Sequence, residues 1–452
     1  MALRINSLFQ SLLYIKIFHI PFIILWVILI GVFCTIRFKF VNLRLFKHGL
    51  LVLLGKDEKH TNGQITHFQA FFTAISATVG LGTISGVAIA VSIGGPGAIF
   101  WMIITGLFGM SVKFAEVTLG LKYRTNEERV GGPFQYMKHG LAEIGLPKLG
   151  TAIAFIYSVL LIIAMTCGGI PFQANQVAAL FNNLFQYDKS FIVPLILSLL
   201  VWLVIMGGVK RIAKVATSLA PIMTILYIVG CMLIIFMYRG ALPSALYSIV
   251  SGLFGKTAIG GGAIGSLIAG VRRSVFANEA GTATAAIAHY ATQENEPVRA
   301  GCVAMIGPCI DTIIISFLTG IVILVTGFTA QNNNIEGIVL IKSIFSSISP
   351  LWGYVIFPFI TLSFAFSTII AYSYYCEVAW VYVFNSRRSI ILCHILILIL
   401  IYISGLSQDV KLISSLGDTL FMCLTIPNAI TIYLLSKKVG NKLNSYIQKG
   451  LL

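Results

Sequence analysis

Polar side chains inside long apolar stretches are the residues of this sequence best placed to do chemistry. Gln173 and Asn175 stand two positions apart in one stretch, and Ser367 and Thr368 are adjacent in another. Amide oxygens accept hydrogen bonds from an ammonium group without adding formal charge, and hydroxyl oxygens suit a hard cation such as Na⁺. The ordinary alternative is that the amides join neighbouring helices and the hydroxyls bond back to their own helix.

Charged side chains inside the same stretches are a second set of candidates. Asp311 lies about 12 residues into its stretch, or roughly 18 Å at 1.5 Å per residue, and ionisable groups at such depth are usually functional or paired. Its expected partners, in a structural or gating ion pair, are Arg272, Arg273 and Glu279. Lys113 and Glu116 stand three positions apart near the expected inner surface, where snorkelling or a local pair explains them.

Two clusters of glycine indicate where a helix is interrupted. The first is Ala77-Thr-Val-Gly-Leu-Gly-Thr-Ile-Ser-Gly86, and the second runs from Gly260-Gly261-Gly262 through Gly265 and Gly270 to Asn278-Glu-Ala-Gly281. Each glycine costs a helix interior roughly 1 kcal/mol relative to alanine, although scattered glycines more often serve close helix packing. We expect unwound backbone from about Thr78 to Gly86, facing a similar break from about Gly270 to Gly281.

The elements that position these residues are membrane-spanning helices. Of the 452 residues, 58% are hydrophobic and 10% charged, whereas a soluble domain carries about 25% charged residues. Apolar segments of roughly 18 residues or more are long enough to cross about 30 Å of hydrocarbon. They are continuous rather than alternating, which excludes a membrane β-barrel. The sequence therefore predicts an all-α integral membrane protein.

The pattern predicts about eleven transmembrane helices. The first is an N-terminal helix at 20–36, which we expect to be retained rather than cleaved as a signal peptide. Ten further spans follow, which we call core helices one to ten: 67–92, 97–121, 150–182, 190–208, 214–238, 262–290, 299–327, 350–383, 389–406 and 413–436. The predicted divisions are 1–66 (N-terminal helix and cytoplasmic linker), 67–238 (first five helices), 239–436 (second five helices) and 437–452 (cytoplasmic tail). Eight cysteines without a CxxC pair indicate reduced, buried thiols.

The distribution of positive charges predicts how the chain is oriented in the membrane. The net charge of +16 comes from cations in short loops between apolar spans, which indicates membrane topology rather than a nucleic-acid-binding face. With the N-terminus outside, inner segments hold roughly three times as many cations as outer segments. We therefore expect a cytoplasmic C-terminus.

The positions of the glycine clusters favour transport. The interrupted spans are the first and sixth of ten, so each begins a set of five, and the second set enters the membrane from the opposite side. Interrupted helices at matching positions of inverted repeats indicate the midplane site of a secondary transporter. A broken helix offers N–H groups and a positive dipole end to a carboxylate, while its unwound carbonyls coordinate a cation.

Four stretches resemble a known family, the alanine or glycine:cation symporters, which have the leucine-transporter fold. They are Gly80-Leu-Gly-Thr-Ile-Ser-Gly-Val with Gly94-Gly-Pro-Gly-Ala-Ile-Phe-Trp-Met102 and Lys113-Phe-Ala-Glu116; Gln173-Ala-Asn175; Arg273-Ser-Val-Phe-Ala-Asn-Glu-Ala-Gly281 with Pro297-Val-Arg299 and Asp311-Thr312; and Phe364-Ala-Phe-Ser-Thr-Ile369 with Tyr374-Tyr375, Glu377, Asp418 and Ile426-Pro-Asn428. The resemblance runs from about residue 20 to 436. It implies an inverted five-plus-five repeat with one extra N-terminal helix.

The resemblance also implies the activity and the site. It implies symport of alanine or glycine with Na⁺ as coupling ion, no organic cofactor, and a bacterial inner membrane. The predicted substrate-binding residues are Gly80, Gly82, Thr83, Gly86, Gln173, Asn175, Gly270, Phe276, Asn278 and Gly281. The predicted sodium ligands are Thr78, Val79, Ser367 and Thr368, and the predicted structural or gating charges are Lys113, Glu116, Arg273, Glu279 and Asp311. Two positions depart from the family pattern: Thr83 stands where asparagine is usual, and Gly-Gly-Ile-Pro precedes Gln173 where Gly-Asn-Met is common.

Other functions are weaker alternatives. The sequence contains no HExxH, GxSxG or GxxxxGK[ST] motif, which disfavours an intramembrane enzyme, and a channel would need a ring of repeated polar residues. A proton-coupled transporter of another small zwitterion stays open as the runner-up. The expected partners are the amino acid and membrane lipids, with no nucleic acid and no obligate protein partner.

Overall fold

The computed structural model of the chain describes residues 15–17, 20–55, 66–124, 131–185, 191–253, 262–292, 294–327, 337–386, 388–407 and 409–450. Gly260 and Gly261 of the second glycine cluster lie outside these ranges. The described chain is almost wholly helical. A two-stranded antiparallel sheet, β1 (Lys16–Ile17) with β2 (Ile20–Pro21), precedes the first helix.

The first half of the chain forms twelve described helices. In chain order they are α1 (Phe22–Arg37), α2 (Val41–Arg44), α3 (Phe46–Leu53), α4 (His67–Thr78), α5 (Leu81–Gly94), α6 (Gly97–Lys122), α7 (Pro133–Gln135), α8 (Leu141–Glu143), α9 (Pro147–Ala164), α10 (Ile170–Phe185), α11 (Ile192–Ile205) and α12 (Gly208–Met237). Short π-helical segments, Tyr136–Gly140 and Met165–Gly169, join α7 to α8 and α9 to α10.

The second half forms ten described helices. They are α13 (Leu242–Ser251), α14 (Gly262–Asn278), α15 (Thr284–Tyr290), α16 (Pro297–Ala304), α17 (Ile306–Pro308), α18 (Phe317–Thr326), α19 (Ile338–Ser346), α20 (Phe357–Phe384), α21 (Ile390–Leu406) and α22 (Val410–Gln448). A 3-10 turn, Arg239–Ala241, precedes α13, and π-helical segments Cys309–Ser316 and Trp352–Ile356 precede α18 and α20.

Every predicted span coincides with a helix or with a run of consecutive helices. Within the described ranges, seven helical runs are long and apolar enough to cross a membrane. They are Phe68–Gly94, Gly97–Lys122, Pro147–Phe185, Gly208–Met237, Pro297–Thr326, Trp352–Phe384 and Val410–Gln448. Helices α1, α11 and α21 are shorter and apolar. A helical membrane protein is therefore the observed class, while the count of eleven spans stays a prediction.

Apolar surface on the outer helices identifies the face that meets lipid. On α11, Leu195, Leu199 and Leu203 follow at intervals of four residues, and they are 45%, 53% and 52% exposed. An interval of four keeps side chains on one helix face. Because water does not stabilise such a stripe, this face packs against hydrocarbon.

The two interrupted spans lie at the centre of the bundle. Core helix one is α4 followed by α5, and core helix six is α14 followed by α15. Helix α14 packs against α5 and α6, and α12 packs against α4 and α20. The two breaks are therefore surrounded by other helices rather than by lipid.

Both breaks are shorter than predicted, and the second lies later in the chain. Core helix one is interrupted only at Val79 and Gly80, because α5 begins at Leu81 and continues through Gly86. Core helix six runs unbroken through Gly270 and ends at Asn278, so its break covers residues 279–283.

Close packing explains the glycines that do not break a helix. A Cβ atom at Gly270 would lie 2.6 Å from Trp101 Cβ, and one at Gly82 would lie 3.0 Å from Phe276 Cδ1. These glycines allow α14 to approach α6 and α5 closely, as small residues do in membrane bundles. The packing interpretation therefore applies to most of both clusters.

Most of the cysteines are buried, as the sequence predicted. All eight thiols are free, six are buried, and Cys309 is partly buried. Cys167 is exposed, although its neighbours Thr166 and Gly168 in the π segment that precedes α10 are buried. That exposure corrects the expectation that every thiol is buried.

Candidate functional site

The break in core helix one is held by side chains that replace lost helical hydrogen bonds. Gln173 Oε1 on α10 accepts a hydrogen bond from the Leu81 N–H at 3.1 Å. The Thr83 hydroxyl donates to Gly80 O at 2.7 Å. Because the first N–H groups of a helix have no partner within it, Gln173 acts as the cap of α5. The predicted residues Gln173, Gly80 and Thr83 therefore meet at one point.

The predicted sodium ligands do not all converge. The Thr368 hydroxyl on α20 donates to Ser76 O at 2.8 Å and fills the space in which a side chain at Gly80 would lie. The adjacent Ser367 hydroxyl donates within its own helix to Phe364 O at 3.0 Å. Thr368 therefore lies against the break at Val79, whereas Ser367 is turned away from it.

Thr78 lies on another face of the same segment. Its hydroxyl donates to Ala74 O at 3.4 Å and to Ile75 O at 3.3 Å, as an ordinary helical threonine does. It also faces the carboxylate of Asp311. The end of α4 thus presents two faces, one toward Thr368 and one toward Asp311.

Left-handed backbone forms the break in core helix six. Glu279 (φ 54), Gly281 (φ 94) and Ala283 (φ 66) all have positive φ. Only glycine adopts this region freely, and other residues pay about 1–3 kcal/mol when held there. Asn278 Oδ1 accepts from the Ala280 N–H at 2.9 Å, and the Thr282 hydroxyl donates to Glu279 O at 2.7 Å. The side chains of the break itself therefore supply part of the hydrogen bonding that holds this conformation.

Lys113 and Glu116 hold the same break from α6. Lys113 Nζ donates to Asn278 O at 2.6 Å, and Glu116 Oε1 accepts from the Ala283 N–H at 3.0 Å. Their exposures are 2% and 0%, so neither side chain snorkels toward the membrane surface. The snorkelling interpretation was wrong because α6 packs directly on α14 and α15, which keeps this face of α6 away from water and lipid.

Asn428 on α22 completes this network and was not predicted as a site residue. Its Nδ2 donates to Glu116 Oε1 and to Gly281 O, both at 2.7 Å, and its Oδ1 accepts from the Tyr136 hydroxyl at 2.5 Å. The Tyr157 hydroxyl donates to Thr282 O at 2.6 Å. In the sequence, Asn428 follows a proline inside an apolar helix and belongs to one of the stretches that resemble the family, but no role was assigned to it.

The arginines of α14 pair with Asp418 rather than with Asp311. Arg272 Nε lies 3.3 Å from Asp418 Oδ2, and Arg273 Nη1 lies 3.2 Å from Asp418 Oδ1. Arg273 also donates to the Ser414 hydroxyl. The predicted pairing was wrong because both guanidinium groups face α22, whereas Asp311 lies in the π segment before α18. There the Asp311 carboxylate interacts electrostatically with Lys113 and with Glu279.

Aromatic rings close the space between the breaks. Phe276 packs against Phe172 with ring centroids 5.2 Å apart and against Phe421 at 4.8 Å. An added Cβ at Gly82 or at Gly417 would lie 3.0 Å or 2.9 Å from the Phe276 ring. The Arg273 guanidinium lies over both Phe172 and Phe276. The region is therefore tightly enclosed, with little room beside α5.

Some predicted residues lie elsewhere. Asn175 Nδ2 donates to Ser407 O at 2.7 Å, beyond the end of α21. Gly86 lies beside Arg273 Cδ, which is 3.6 Å from the position of an added Cβ, and Gly270 packs against α6. The structure brings together Gly80, Gly82, Thr83, Gln173, Phe276 and Thr368 around the first break, and Asn278, Glu279, Gly281, Lys113 and Glu116 around the second.

Comparison with known proteins gives matches along nearly the whole chain. The model of the sodium:alanine symporter family matches residues 5–450. The chain is 35% identical to the sodium/alanine symporter AgcS of Methanococcus maripaludis, covering 94% of each chain. It is 34% identical to the probable sodium/glutamine symporter GlnT of Bacillus subtilis, covering 93% of this chain and 86% of that one.

Comparison with solved structures shows the fold. The crystal structure of MhsT in complex with L-phenylalanine aligns with a TM-score of 0.58 at 14% identity, covering 87% of this chain and 91% of that chain. The fold is that of the leucine transporters, as the family resemblance implied.

Proposed function

Because this chain belongs to the sodium:alanine symporter family, whose members are membrane transporters rather than enzymes, we propose that it couples the uptake of a small neutral amino acid to Na⁺. A multi-pass secondary transporter is the established class. The coupling ion, the substrate and the site residues are the proposal. The observation that carries it is the break at Val79 and Gly80, where Gln173 caps the start of α5 in the middle of the bundle.

The substrate carboxylate is proposed to lie at the start of α5. Free N–H groups and the positive end of the helix dipole favour an anion there, by roughly 0.3–1 kcal/mol at exposed sites and up to about 2 kcal/mol when partly buried. Gly80 and Gly82 let the substrate approach the backbone closely because neither carries a side chain. Gln173 Oε1 accepts from the Leu81 N–H at this point, and we assign it both to the cap and to the substrate ammonium.

The aromatic enclosure supports a small substrate side chain. Phe276 lies against Gly82, and Phe172 and Phe421 pack against Phe276. Alanine and glycine need little space beyond the shared ammonium and carboxylate groups. The glutamine named for the relative GlnT needs more, so its uptake here would require Phe276 to move.

The sodium ion is proposed to lie between the first break and α20. The Thr368 hydroxyl and the backbone carbonyls near Val79 are hard oxygen donors of the type that such a cation prefers. The Thr368 hydroxyl donates to Ser76 O at 2.8 Å, so these two oxygens already converge. On this proposal both oxygens become ligands of the Na⁺ ion, which takes the place of the hydrogen bond between α20 and α4.

The charged networks are proposed to control access to the site. The Arg273–Asp418 pair lies beside α5, on the side of both breaks that the charge distribution assigns to the outside. The Lys113, Glu116 and Asn428 network holds the second break and the start of α15 on the other side. We propose that the bundle opens alternately past these two networks, in a bacterial inner membrane.

Uptake into liposomes tests this function. Purified protein should accumulate labelled alanine or glycine with an inward Na⁺ gradient, and unlabelled glycine, alanine and serine should compete. Replacement of Na⁺ by choline or K⁺ at constant pH should abolish uptake. Equal uptake in all three salts would reject sodium coupling, and uptake driven by a proton gradient alone would establish the runner-up coupling.

A further inference from the structure

A cleft between α1 and α6 reaches the second break and lies apart from the proposed substrate and sodium sites. Its volume is about 540 Å³, including its open mouth. Its walls come from residues 27–31 of α1 and residues 101–112 of α6. Its inner end is formed by Ala280 and Gly281 of the break and by Thr425 of α22. The cleft therefore connects the surface of the bundle with the second break.

The chemistry of the lining favours hydrocarbon over water. None of the residues that line the cleft is ionisable. The hydroxyls of Thr105 and Thr425 both donate within their own helices, to Trp101 O and to Met422 O, each at 2.7 Å. A water molecule held in a cavity needs about two to four polar partners. The cleft offers too few of them, so its ligand is apolar.

The mouth of the cleft opens toward lipid. Among the lining residues, Ile28, Ile104 and Phe108 are partly exposed. Leu29, the neighbour of Ile28 on α1, is 63% exposed. Helix α1 carries no charged residue before Arg37, so this surface packs against the hydrocarbon chains of the membrane. A lipid chain can therefore enter the cleft sideways from the bilayer.

The length of the cleft and one unpartnered donor identify the kind of lipid. From Trp101 to Val112 the cleft follows α6 for roughly 16 Å, at 1.5 Å per residue. This is about half of the ~30 Å hydrocarbon thickness, which is the depth that one chain of a phospholipid fills. The indole N–H of Trp101 is buried and has no hydrogen-bond partner among the described residues. Tryptophan is enriched at the depth of the lipid headgroups, where the ester carbonyls of a phospholipid are acceptors.

We propose that this cleft binds one chain of a phospholipid from the outer leaflet. Its ester carbonyl oxygen accepts from Trp101 Nε1, and its chain extends along α6 to Ala280 and Gly281. Gly281 has a φ of 94° and its carbonyl oxygen accepts from Asn428, so the end of the chain packs on the backbone that forms the second break. The bound lipid thereby stabilises this conformation of the break. The inference concerns a lipid site and does not depend on the coupling ion or the substrate.

Photolabelling of the reconstituted protein tests the site. The probe is a phosphatidylcholine that carries a diazirine at the end of one chain, and labelled residues are identified by mass spectrometry. Ala280 and Thr425 are 7% and 0% exposed, so a label on either residue requires a chain inside the cleft. Leu199 on α11 is 53% exposed and reports the lipid that surrounds the bundle. Wild-type protein should be labelled at both kinds of position.

Thr105→Leu extends a side chain into the cleft and should reduce the labelling of Ala280 at least fivefold, with no change at Leu199. Thr217→Leu is the matched control, because the Thr217 hydroxyl also donates within its own helix, to Ala213 O at 2.6 Å, and does not line the cleft. It should be labelled as wild type is.

A second filling variant and a second measurement guard against misfolding of Thr105→Leu. Thr425→Leu fills the cleft from α22 and should also reduce the labelling of Ala280. In detergent, added phosphatidylcholine should raise the thermal unfolding midpoint of wild type and of Thr217→Leu by several degrees, and that of either filling variant by less than half as much. Wild-type labelling confined to exposed residues, or Ala280 labelling that neither monodisperse filling variant reduces, would overturn the lipid site.

Discussion

Replacement of Gln173 by leucine isolates the contact that defines the first break. Gln173 Oε1 accepts from the Leu81 N–H at 3.1 Å, and Gln173 is 1% exposed. Leucine keeps similar volume but leaves a buried donor without a partner. An unsatisfied buried donor costs about 1–3 kcal/mol, which corresponds to roughly a 5- to 150-fold change in an equilibrium constant.

The expected result is a loss of alanine affinity by a factor in that range. Gln173→Leu also removes the oxygen that we assign to the substrate ammonium, and a hydrogen bond to a charged group is worth about 1.5–3 kcal/mol. Substrate affinity should therefore fall in addition to any loss of folding stability. The assay is alanine uptake in liposomes over a range of alanine concentrations, at a fixed inward Na⁺ gradient.

The chain offers a matched control in the same helix. Gln176 Oε1 accepts from the Ile338 N–H at 3.1 Å and thereby caps α19 rather than α5. Gln176→Leu removes the same kind of contact at a similar expected cost in stability. Its alanine affinity should stay within about twofold of wild type. If both variants changed affinity equally, or if Gln173→Leu changed nothing, the assignment of Gln173 to the substrate site would be refuted.

Three other changes test other parts of the account. Thr83→Asn should shift the relative uptake of glycine, alanine and serine several-fold, because one hydrogen bond gained or lost is worth about 0.5–1.5 kcal/mol; unchanged selectivity and an unchanged Na⁺ midpoint would place residue 83 outside the pocket. Asn428→Ala removes two donated bonds, to Glu116 and to Gly281 O, and should lower both the thermal unfolding midpoint and the uptake rate; wild-type values of both would contradict the network. Hydrogen bonds from Lys438 and Tyr123 lower the pKa of Glu143, which lies outside the spans, to about 2 from its usual 4.5. The contribution of the ionised Glu143 carboxylate to stability is therefore full at neutral pH and is lost as pH falls from 4.5 toward 2. Glu143→Gln should lower the thermal unfolding midpoint at pH 7 and should have no such effect in acid. A larger decrease in acid than at pH 7 would contradict this pKa shift.

The glycine clusters predicted which two spans are broken, but they predicted neither the extent of each break nor the position of the second break. The cost of a glycine, roughly 1 kcal/mol, is smaller than the gain from close helix packing. Gly82 and Gly270 therefore stay helical where Phe276 and α6 pack against them. The positive φ of Glu279, Gly281 and Ala283 goes with hydrogen bonds to Lys113, Glu116 and Asn428, which come from distant parts of the chain.

The partners of the buried charges could not be predicted for a related reason. Asp311 and the arginines of α14 have suitable charge and depth, but pairing depends on which face each helix presents. Arg272 and Arg273 face Asp418 on α22. Lys113 is buried because α6 packs against α14 and α15 along its length, although its position in the sequence suggested the membrane surface. Residue types were thus predictable, while rotation about each helix axis was not.

Accumulation of alanine against its own gradient is the measurement that tests the central claim most directly. Liposomes preloaded with alanine at the external concentration should take up more when an inward Na⁺ gradient is imposed, and the excess should disappear when an ionophore collapses that gradient. An internal concentration that never exceeds the external one, with the Na⁺ gradient intact and the protein monodisperse, would contradict sodium-coupled transport by this chain.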